Sequence, residues 1–465
     1  MSQNVQEDGQ QTFKQAAQPT RRMPKATSML VLALTVAGVT TAVMPEARAQ
    51  SAEALRHLDS AVKNSGGDLA LLNHYREYSC DAVEDTGMYP RSSAERRETR
   101  VPLTQIFDNV WYIGDMYVGQ FILKTASGGF VLIDALNNSA EVDQYTMPAL
   151  RSLGLSASNP LLAVMISHGH GDHDGGANRL REIFGSSLAI YLGSGDARNK
   201  AYNPLQIDSA IAEPQERTIG GTTVVFQSIP GHTPGMMNFV IPVRHNGVEH
   251  KLMMGGRQGH PGAVASARSY LRGTERSYEL VKKYGVVGTF LTHPTSDGTT
   301  VHMQAIERAG SRDPNPFFIG HERTLRAAAM WRGCAAGWLS TRDASSVELV
   351  WRVTSLTFPE LKPNLNTVSA QLASGWGPND PDAAQTTPDA QWGPIAGQTV
   401  TFSIEGGGPG CTAITNAKGL ATCTLPNKAK LLPNQRVAAS FEGNTTDTFV
   451  NLSSKASAVV PARGR

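Results

Sequence analysis

Within six consecutive positions the sequence places three imidazoles and a carboxylate: His168, His170, Asp172 and His173, in the stretch Ser167-His168-Gly169-His170-Gly171-Asp172-His173-Asp174-Gly175-Gly176. Neutral imidazole nitrogens and carboxylate oxygens suit zinc, and three protein ligands per ion leave a position open for water. The glycines let the backbone turn tightly, so side chains close in sequence can converge on one point. A solvated polar turn has no need of so many ligand-type groups, and this density argues for a metal site.

Two further histidines stand in similar settings. His232 lies in Pro230-Gly231-His232-Thr233-Pro234-Gly235, and His293 in Thr292-His293-Pro294, each at the end of an apolar run. In layered α/β folds, strand ends on one edge converge on one site. Five histidines and one aspartate are what two adjacent three-ligand ions require. The other histidines (His57, His74, His245, His250, His260, His302 and His321) have no such setting. Structural or surface roles are expected of them.

The elements that must position these groups can be read from the pattern. Leu161-Leu162-Ala163-Val164-Met165-Ile166 leads straight into the first cluster and reads as a buried strand. The cluster then sits on a loop at a strand end, where rigid scaffolds present chemistry. Further strands are expected at residues 110–113, 118–123, 130–133, 222–229, 239–243, 248–254 and 286–291, with hairpin signals at Gly128-Gly129 and Asn246-Gly247. Helices are expected at 52–62, 68–78, 141–153, 178–184, 266–284, 302–309 and 322–339, and a polar surface loop at 91–100. A strand meander followed by strand–helix alternation, repeated twice, predicts two face-to-face sheets with helices outside. From about residue 345 helical patterns give way to Thr, Val, Ser, Pro and Gly, with strands expected at 347–357, 398–404, 411–415, 420–425, 436–441 and 448–453 and a long loop at 375–393. That is the pattern of a small β-sandwich.

The 465 residues exceed one compact core. A net charge of +2, without basic runs, makes no case for nucleic acid or acidic membranes. Arg21, Arg22 and Lys25 precede an apolar stretch at 29–43, too short to span a bilayer comfortably, and Ala47-Arg48-Ala49 fits a cleavage site. Residues 1–49 are therefore expected to be a signal peptide, with no membrane span in the mature chain. Whether translation starts at Met23, or Arg21-Arg22 marks twin-arginine export, stays open. Export, to the periplasm or outside the cell, would permit disulfides. Four cysteines admit three connectivities; proximity in a strand-rich stretch favours Cys411 with Cys423, bridging a hairpin, which leaves Cys80 for Cys334.

His168-Gly-His170-Gly-Asp172-His173 together with Gly231-His232-Thr-Pro-Gly235 resembles the metallo-β-lactamase superfamily. The resemblance covers roughly residues 105–320, with 340 as a plausible end. It implies an α/β fold, an αββα metallo-β-lactamase sandwich with two Zn2+ ions at one edge. The nearest pattern is that of third-subclass metallo-β-lactamases, which use Asp-His in the first motif plus a late His, often followed by Pro, as in Asp172-His173 and His293-Pro294. Glyoxalase II-like and lactonase-like members usually carry a bridging Asp after a strand; here Lys251-Leu252-Met253-Met254 runs into Gly255-Gly256-Arg257, and no carboxylate follows. On this resemblance, His168, His170 and His232 hold one zinc, and Asp172, His173 and His293 hold the other. A hydroxide between them would attack a carbonyl. Asp134 would orient a ligand imidazole from behind. Arg257 departs from the family pattern; it would pair with a substrate carboxylate or serve a surface ion pair.

The C-terminal segment resembles a bacterial immunoglobulin-like domain, on Gly397-Gln-Thr-Val-Thr-Phe402 and Cys411 through Cys423. Such modules commonly act as spacers or adhesive elements, which implies cell-surface or protein contact. The expected organisation is a signal peptide (1–49), a helical segment and loop (50–104), a hydrolase domain (105–342) and a small all-β immunoglobulin-like sandwich (343–465). The expected function is an exported dinuclear zinc hydrolase, β-lactamase-like, acting on a small molecule. A lactonase or thioesterase on the same site is the first alternative, and a surface adhesion protein with a residual hydrolase domain the second.

Overall fold

In a computed structural model of the chain, the described residues are 51–65, 79–80, 93–255, 259–374, 393–406 and 408–462. The expected helix at 68–78, the long loop up to residue 392 and Arg257 lie outside them. Among the described residues, no helix is long and apolar enough to cross a membrane.

Helix α1 (Ala52–Ser65) comes first, then the short α2 (Ser93–Glu98). Strands β1 (Arg100–Phe107), β2 (Val110–Asp115), β3 (Gly119–Lys124) and β4 (Phe130–Ile133) form an antiparallel meander. β5 (Leu161–Met165), β6 (Ala189–Gly193) and β7 (Leu205–Ile207) extend it in parallel, completing a seven-stranded sheet in sequence order. Helical turns at Ser139–Glu141 (α3), Val142–Thr146 and Met147–Ser152 (α4) join β4 to β5. α5 (Gly171–Asp174) and α6 (Ala177–Phe184) join β5 to β6.

The second sheet has five strands. β8 (Gln215–Ile219), β9 (Thr222–Ser228), β10 (Met237–His245) and β11 (Val248–Met254) pair antiparallel, and β12 (Thr289–Phe290) adds in parallel beyond β11. Long helices α7 (Val264–Tyr284) and α9 (His321–Arg342), with α8 (Thr299–Ala309) between them, complete this half.

Period-two alternation sorts the central strands into layers. Val131 and Ile133 of β4 face the second sheet, in a core with Phe226, Phe239, Ile241 and Met254. Phe130 and Leu132 point the other way, onto Val142, Leu150 and Leu180 of the outer helices. β10 divides likewise: Val240 turns outward, onto the core shared by α7, α9 and α1. Strands buried on both faces must be apolar throughout, and Phe130-Val131-Leu132-Ile133 therefore reads as an unbroken run. The architecture is an αββα sandwich.

Behind it, β13 (Val350–Arg352) starts an all-β region and pairs with β21 (Phe449–Asn451), which pairs in turn with β20 (Asn444–Thr445). One sheet is β14 (Thr354–Thr357), β15 (Thr367–Ser374) and β18 (Leu420–Thr424). The facing sheet is β16 (Thr399–Ile404), β17 (Gly408–Ile414), β19 (Arg436–Phe441) and β22 (Ser454–Val459). Leu356, Val368, Leu372 and Ala421 of the first meet Val400, Phe402, Val437 and Phe441 of the second, as in an immunoglobulin-like sandwich. Cys411 is bonded to Cys423, joining β17 to β18 across the two sheets instead of along one hairpin. Cys80 is bonded to Cys334 of α9.

Several local expectations are corrected. The stretch 91–100 is not all loop: Ser93–Glu98 is helical and Arg100 opens β1. The run Ala94-Glu95-Arg96-Arg97-Glu98 consists of good helix formers, which outweighs its polarity. β6, β7, β8, β15 and β22 are not among the expected strands; β7 and β8 are short or largely polar and do not stand out by pattern, whereas the apolar run of β6 and the alternating Val368, Ala370 and Leu372 of β15 carry a readable signal. Residues 347–357 form two strands in different sheets, β13 and β14.

The sandwich is also less separate than a clean boundary near 343 implies. Val353 and Leu452 belong to the same buried cluster as Ala54, Ala61, Trp331 and Trp338. Asn64 of α1 donates to the Trp351 carbonyl at 2.9 Å and accepts the Val353 N–H at 2.9 Å. Arg332, 2% exposed on α9, pairs with Glu275 of α7 at 3.2 Å, approaches Glu348 at 3.7 Å and donates to the Leu349 carbonyl at 2.6 Å. Removing one partner of such a buried pair strands the others. Arg332→Ala should therefore lower stability by about 3–5 kcal/mol, read as a fall in the denaturation midpoint. A change within error would remove Arg332 as the clamp between the two halves.

His57 of α1 is fully buried, and burial together with the nearby Arg332 guanidinium pushes its pKa down to about 3. The unfolded chain binds a proton near pH 6.5 that the folded chain refuses until about pH 3, so stability rises with pH across that window and falls as pH drops. Glu53, whose pKa is lowered, adds its own loss only below its ordinary value of 4.5. Between pH 6.5 and 4.5 the slope should flatten in His57→Asn, measured by denaturation at a series of pH values.

Candidate metal centre

The groups singled out by spacing all follow strand ends. Asp134 follows β4, and Ser167 to His173 follow β5, with His170 preceding α5 and Asp172 and His173 on it. His232 follows β9 and His293 follows β12. The fold brings them into two clusters. His168 Nε2 lies 3.2 Å from His170 Nδ1, and His232 Nε2 lies 3.1 Å from the same atom. His173 Nε2 and His293 Nε2 are 3.1 Å apart, with Asp172 Oδ2 at 3.8 Å from the first and 3.4 Å from the second. Within each triad the three ligand-type atoms lie within 4.8 Å of one another.

The second cluster is organised by Asp134, which is fully buried. Its Oδ2 accepts from His173 Nδ1 at 2.7 Å, from the Thr292 hydroxyl at 2.7 Å and from the Ser167 hydroxyl at 3.0 Å, and its Oδ1 accepts the Ser167 N–H at 2.7 Å. A carboxylate only accepts, so the His173 proton sits on Nδ1 and the Nε2 lone pair faces the cluster. The Ser167 hydroxyl spends its one proton on Asp134, and so its oxygen accepts from His168 Nδ1 at 3.1 Å. That leaves the His168 Nε2 lone pair facing the other cluster. His293 Nδ1 donates to the Tyr117 carbonyl at 2.5 Å. With both rings neutral, His173 and His293 aim two lone pairs at each other across 3.1 Å, an arrangement no hydrogen bond satisfies but a shared cation does. The edge of a tetrahedral zinc site with nitrogen ligands is about 3.3–3.4 Å, close to the separations seen in both clusters. The donor set fits a metal ion in each.

Electrostatics favour the neutral ring at three of the histidines. Burial, then the charge of the neighbouring imidazoles, holds His168 well below its usual range and brings His232 down to about 4. Burial also lowers His293. These rings present neutral, ligand-competent nitrogens at neutral pH. Burial opposes ionisation of Asp172, but the neighbouring His293 and His173 rings outweigh it and lower the pKa of the carboxyl. For His173 burial acts against charge, and Asp134 overcomes it, raising the pKa.

Both clusters open on one cleft of about 210 Å³. Met236, Met237, Met254 and Leu291 make its apolar wall, and Tyr117, Arg96 and Ser296 its more polar side. Tyr117 stands edge-on to His293 with ring centroids 5.0 Å apart, and Arg97 lies 3.7 Å from the centre of the Tyr117 ring. The wall formed by the end of β11 contributes Met254 and Gly255, and no carboxylate among the described residues. His260 is elsewhere: its Nε2 meets the Ser79 carbonyl at 2.8 Å and its ring packs on Trp338.

Spacing missed several contributors. Ser167 and Thr292 adjoin ligand-type histidines, yet their role depends on Asp134, distant in sequence. Asp196 follows β6 in Gly193-Ser194-Gly195-Asp196 and touches both ligand-bearing loops. A short apolar run ending in glycines and an aspartate was the available signal for it.

Residues 117–245 match the model of the Metallo-beta-lactamase superfamily. A hydroxyacylglutathione hydrolase of Shewanella halifaxensis is 29% identical over 127 residues, 27% of this chain and 44% of that protein. A hydroxyacylglutathione hydrolase of Bartonella tribocorum is 24% identical over 142 residues, covering 30% of this chain and 51% of the relative. The chain thus spans about half the length of the curated relatives it matches. Among solved structures, a subclass B3 metallo-beta-lactamase of Bradyrhizobium japonicum aligns over 51% of this chain and 93% of its own, at 20% identity and a TM-score of 0.40. A Cronobacter sakazakii metallo-beta-lactamase with an HARLDQ motif aligns over 55% and 100%, at 21% identity and a TM-score of 0.43. With the motif spacing, the αββα layers and the matched segment in agreement, this chain carries a domain of the metallo-beta-lactamase superfamily.

Proposed function

We propose that the chain is an exported, dinuclear zinc-dependent hydrolase that cleaves an amide or ester carbonyl in a small molecule. The observation that carries this reading is the convergence of two three-donor clusters, His168/His170/His232 and Asp172/His173/His293, on one cleft. Bound zinc supplies Lewis acidity, which activates water at neutral pH and polarises a carbonyl. The chain's own residues do the rest. Asp172 stays anionic and lowers the net charge of the second site. Asp134 fixes the tautomer and orientation of His173, and Ser167 relays the same constraint to His168. The methionine wall packs against the substrate's hydrocarbon part and keeps bulk water from that side. Arg96 on the opposite side offers a cation to an anionic substituent.

Among substrates, a β-lactam is the first choice, because the second cluster is an Asp-His-His set and β11 ends without the carboxylate expected of glyoxalase II-like members. A thioester is the second, favoured by the names of the two curated relatives, both hydroxyacylglutathione hydrolases. Export is supported by the apolar stretch before Ala47-Arg48-Ala49 and by two disulfides, which persist in oxidising compartments.

The test is zinc counting on the chain from residue 50, followed by a screen of a penicillin, a carbapenem, a lactone and a glutathione thioester. About two ions per chain are expected, and about one in His293→Ala, with β-lactam turnover in the wild type. Turnover of the thioester alone would move the assignment to the second choice. Two ions with no turnover of any compound would reject the hydrolase reading for these classes.

Asp134→Asn tests the orienting role. The amide still fills the space but cannot accept every bond the carboxylate accepts, and one edge of it donates. Zinc affinity at the second site should fall about 10–100-fold, with turnover falling alongside. Unchanged chelator competition in this variant would remove Asp134 from the account.

A further inference from the structure

Asp196 lies behind the first triad and contributes no atom to it. It sits on the loop after β6, between the two loops that carry the triad's histidines. Its Oδ2 accepts the Gly169 N–H at 2.8 Å, between His168 and His170, and the Thr233 hydroxyl at 2.6 Å, next to His232. Its Oδ1 accepts the Gly235 N–H at 2.9 Å. One carboxylate thus binds both sides of a three-histidine cluster whose two loops are more than sixty positions apart in sequence. Four residues further along, Lys200 donates to the Gly169 carbonyl at 2.6 Å and pairs with Asp174 at 2.6 Å. Both backbone polar groups of Gly169, its N–H and its carbonyl, are therefore held by the same short segment.

The packing requires that closeness. A Cβ at position 169 would stand 2.8 Å from Asp196 Cβ and 3.2 Å from Lys200 Cε, so only glycine lets the segment approach. On the other side, a Cβ at position 193 would lie 2.0 Å from the Gly235 carbonyl oxygen. The glycine between the first two histidines thus serves a contact as well as a turn.

We infer that Asp196 is the positioning residue of the first triad, as Asp134 is of the second: it sets the separation of the His168–His170 loop from His232, and thereby the affinity and geometry of the first metal site alone. The two carboxylates divide the work. Asp134 acts on an imidazole directly, whereas Asp196 acts through two backbone N–H groups and a hydroxyl. Charge-assisted bonds of this kind are stronger than neutral ones and fix a loop at low cost in reorganisation.

This inference rests on the metal-centre reading, and the experiment separates the two. Stepwise chelator competition and cobalt substitution are carried out on wild type, Asp196→Ala and Thr233→Val. Wild-type uptake of two ions is measured first; no uptake overturns the metal-centre reading, and this inference with it. Given uptake, Asp196→Ala should lose about 10–100-fold in affinity at one site while the other holds, and the visible bands of cobalt in the three-histidine site should shift. Thr233→Val, which removes one of three donors and leaves the backbone bonds, should show the same selective loss, smaller in size. If Asp196→Ala does not fold, Thr233→Val carries the test. Equal loss at both sites, or unchanged affinity and cobalt spectrum in Thr233→Val and in any folded Asp196→Ala, would overturn it.

Discussion

The buried carboxylate of Asp134 is the interaction on which the site depends. It is fully buried, in a backbone conformation with φ of 63° that a non-glycine residue rarely adopts, and it accepts four hydrogen bonds. The donors come from both sheets: Ser167 and His173 follow β5 of the first, and Thr292 follows β12 of the second. A buried charge is tolerated only where such bonds satisfy it. Separation of the sheets at this edge would therefore leave the carboxylate unpaired. The same bonds that hold the layers together set the tautomers of His173 and, through Ser167, of His168. Stability and chemistry share one hub.

Around it, burial does two opposing things. His168, His232 and His293, pressed into an apolar edge, lose affinity for protons, which keeps their lone pairs available at neutral pH. A carboxylate in the same place needs donors around it to hold its charge. Asp172 keeps its charge through His293 and His173. Asp134 and Asp196 each gather several N–H and O–H groups. The arrangement concentrates acceptors on one small volume while the scaffold around it supplies donors.

The β-rich C-terminal region bears on the same scaffold. α1, from the far end of the chain, packs on α9 and meets β13, and Arg332 links α7, α9 and the segment entering the sandwich. Arg332 also lies over the Trp351 ring at 5.0 Å. α7 and α9 in turn cover the outer face of the second sheet, through Val225, Val240 and Met253. The sandwich is thus a structural neighbour of the αββα layers as well as a module with its own core.

Much of this was legible in the chain itself. Three histidines and an aspartate in six positions, after an unbroken apolar run, determined that a loop dense in ligand-type groups follows a buried strand, because ligand spacing and strand burial are local properties. The order of meander and alternation determined the layer class, and composition marked the change near residue 345. What only the tertiary structure decided is which distant groups share a partner. Asp134 meets Thr292 across 158 positions, Asp196 meets Thr233 and Gly169, and Cys411 closes two sheets instead of one hairpin. Periodicity says which face of a strand is buried, but it does not say which carboxylate that burial places within hydrogen-bond reach of which donor. That depends on how two sheets, folded from opposite ends of a domain, come to rest against each other.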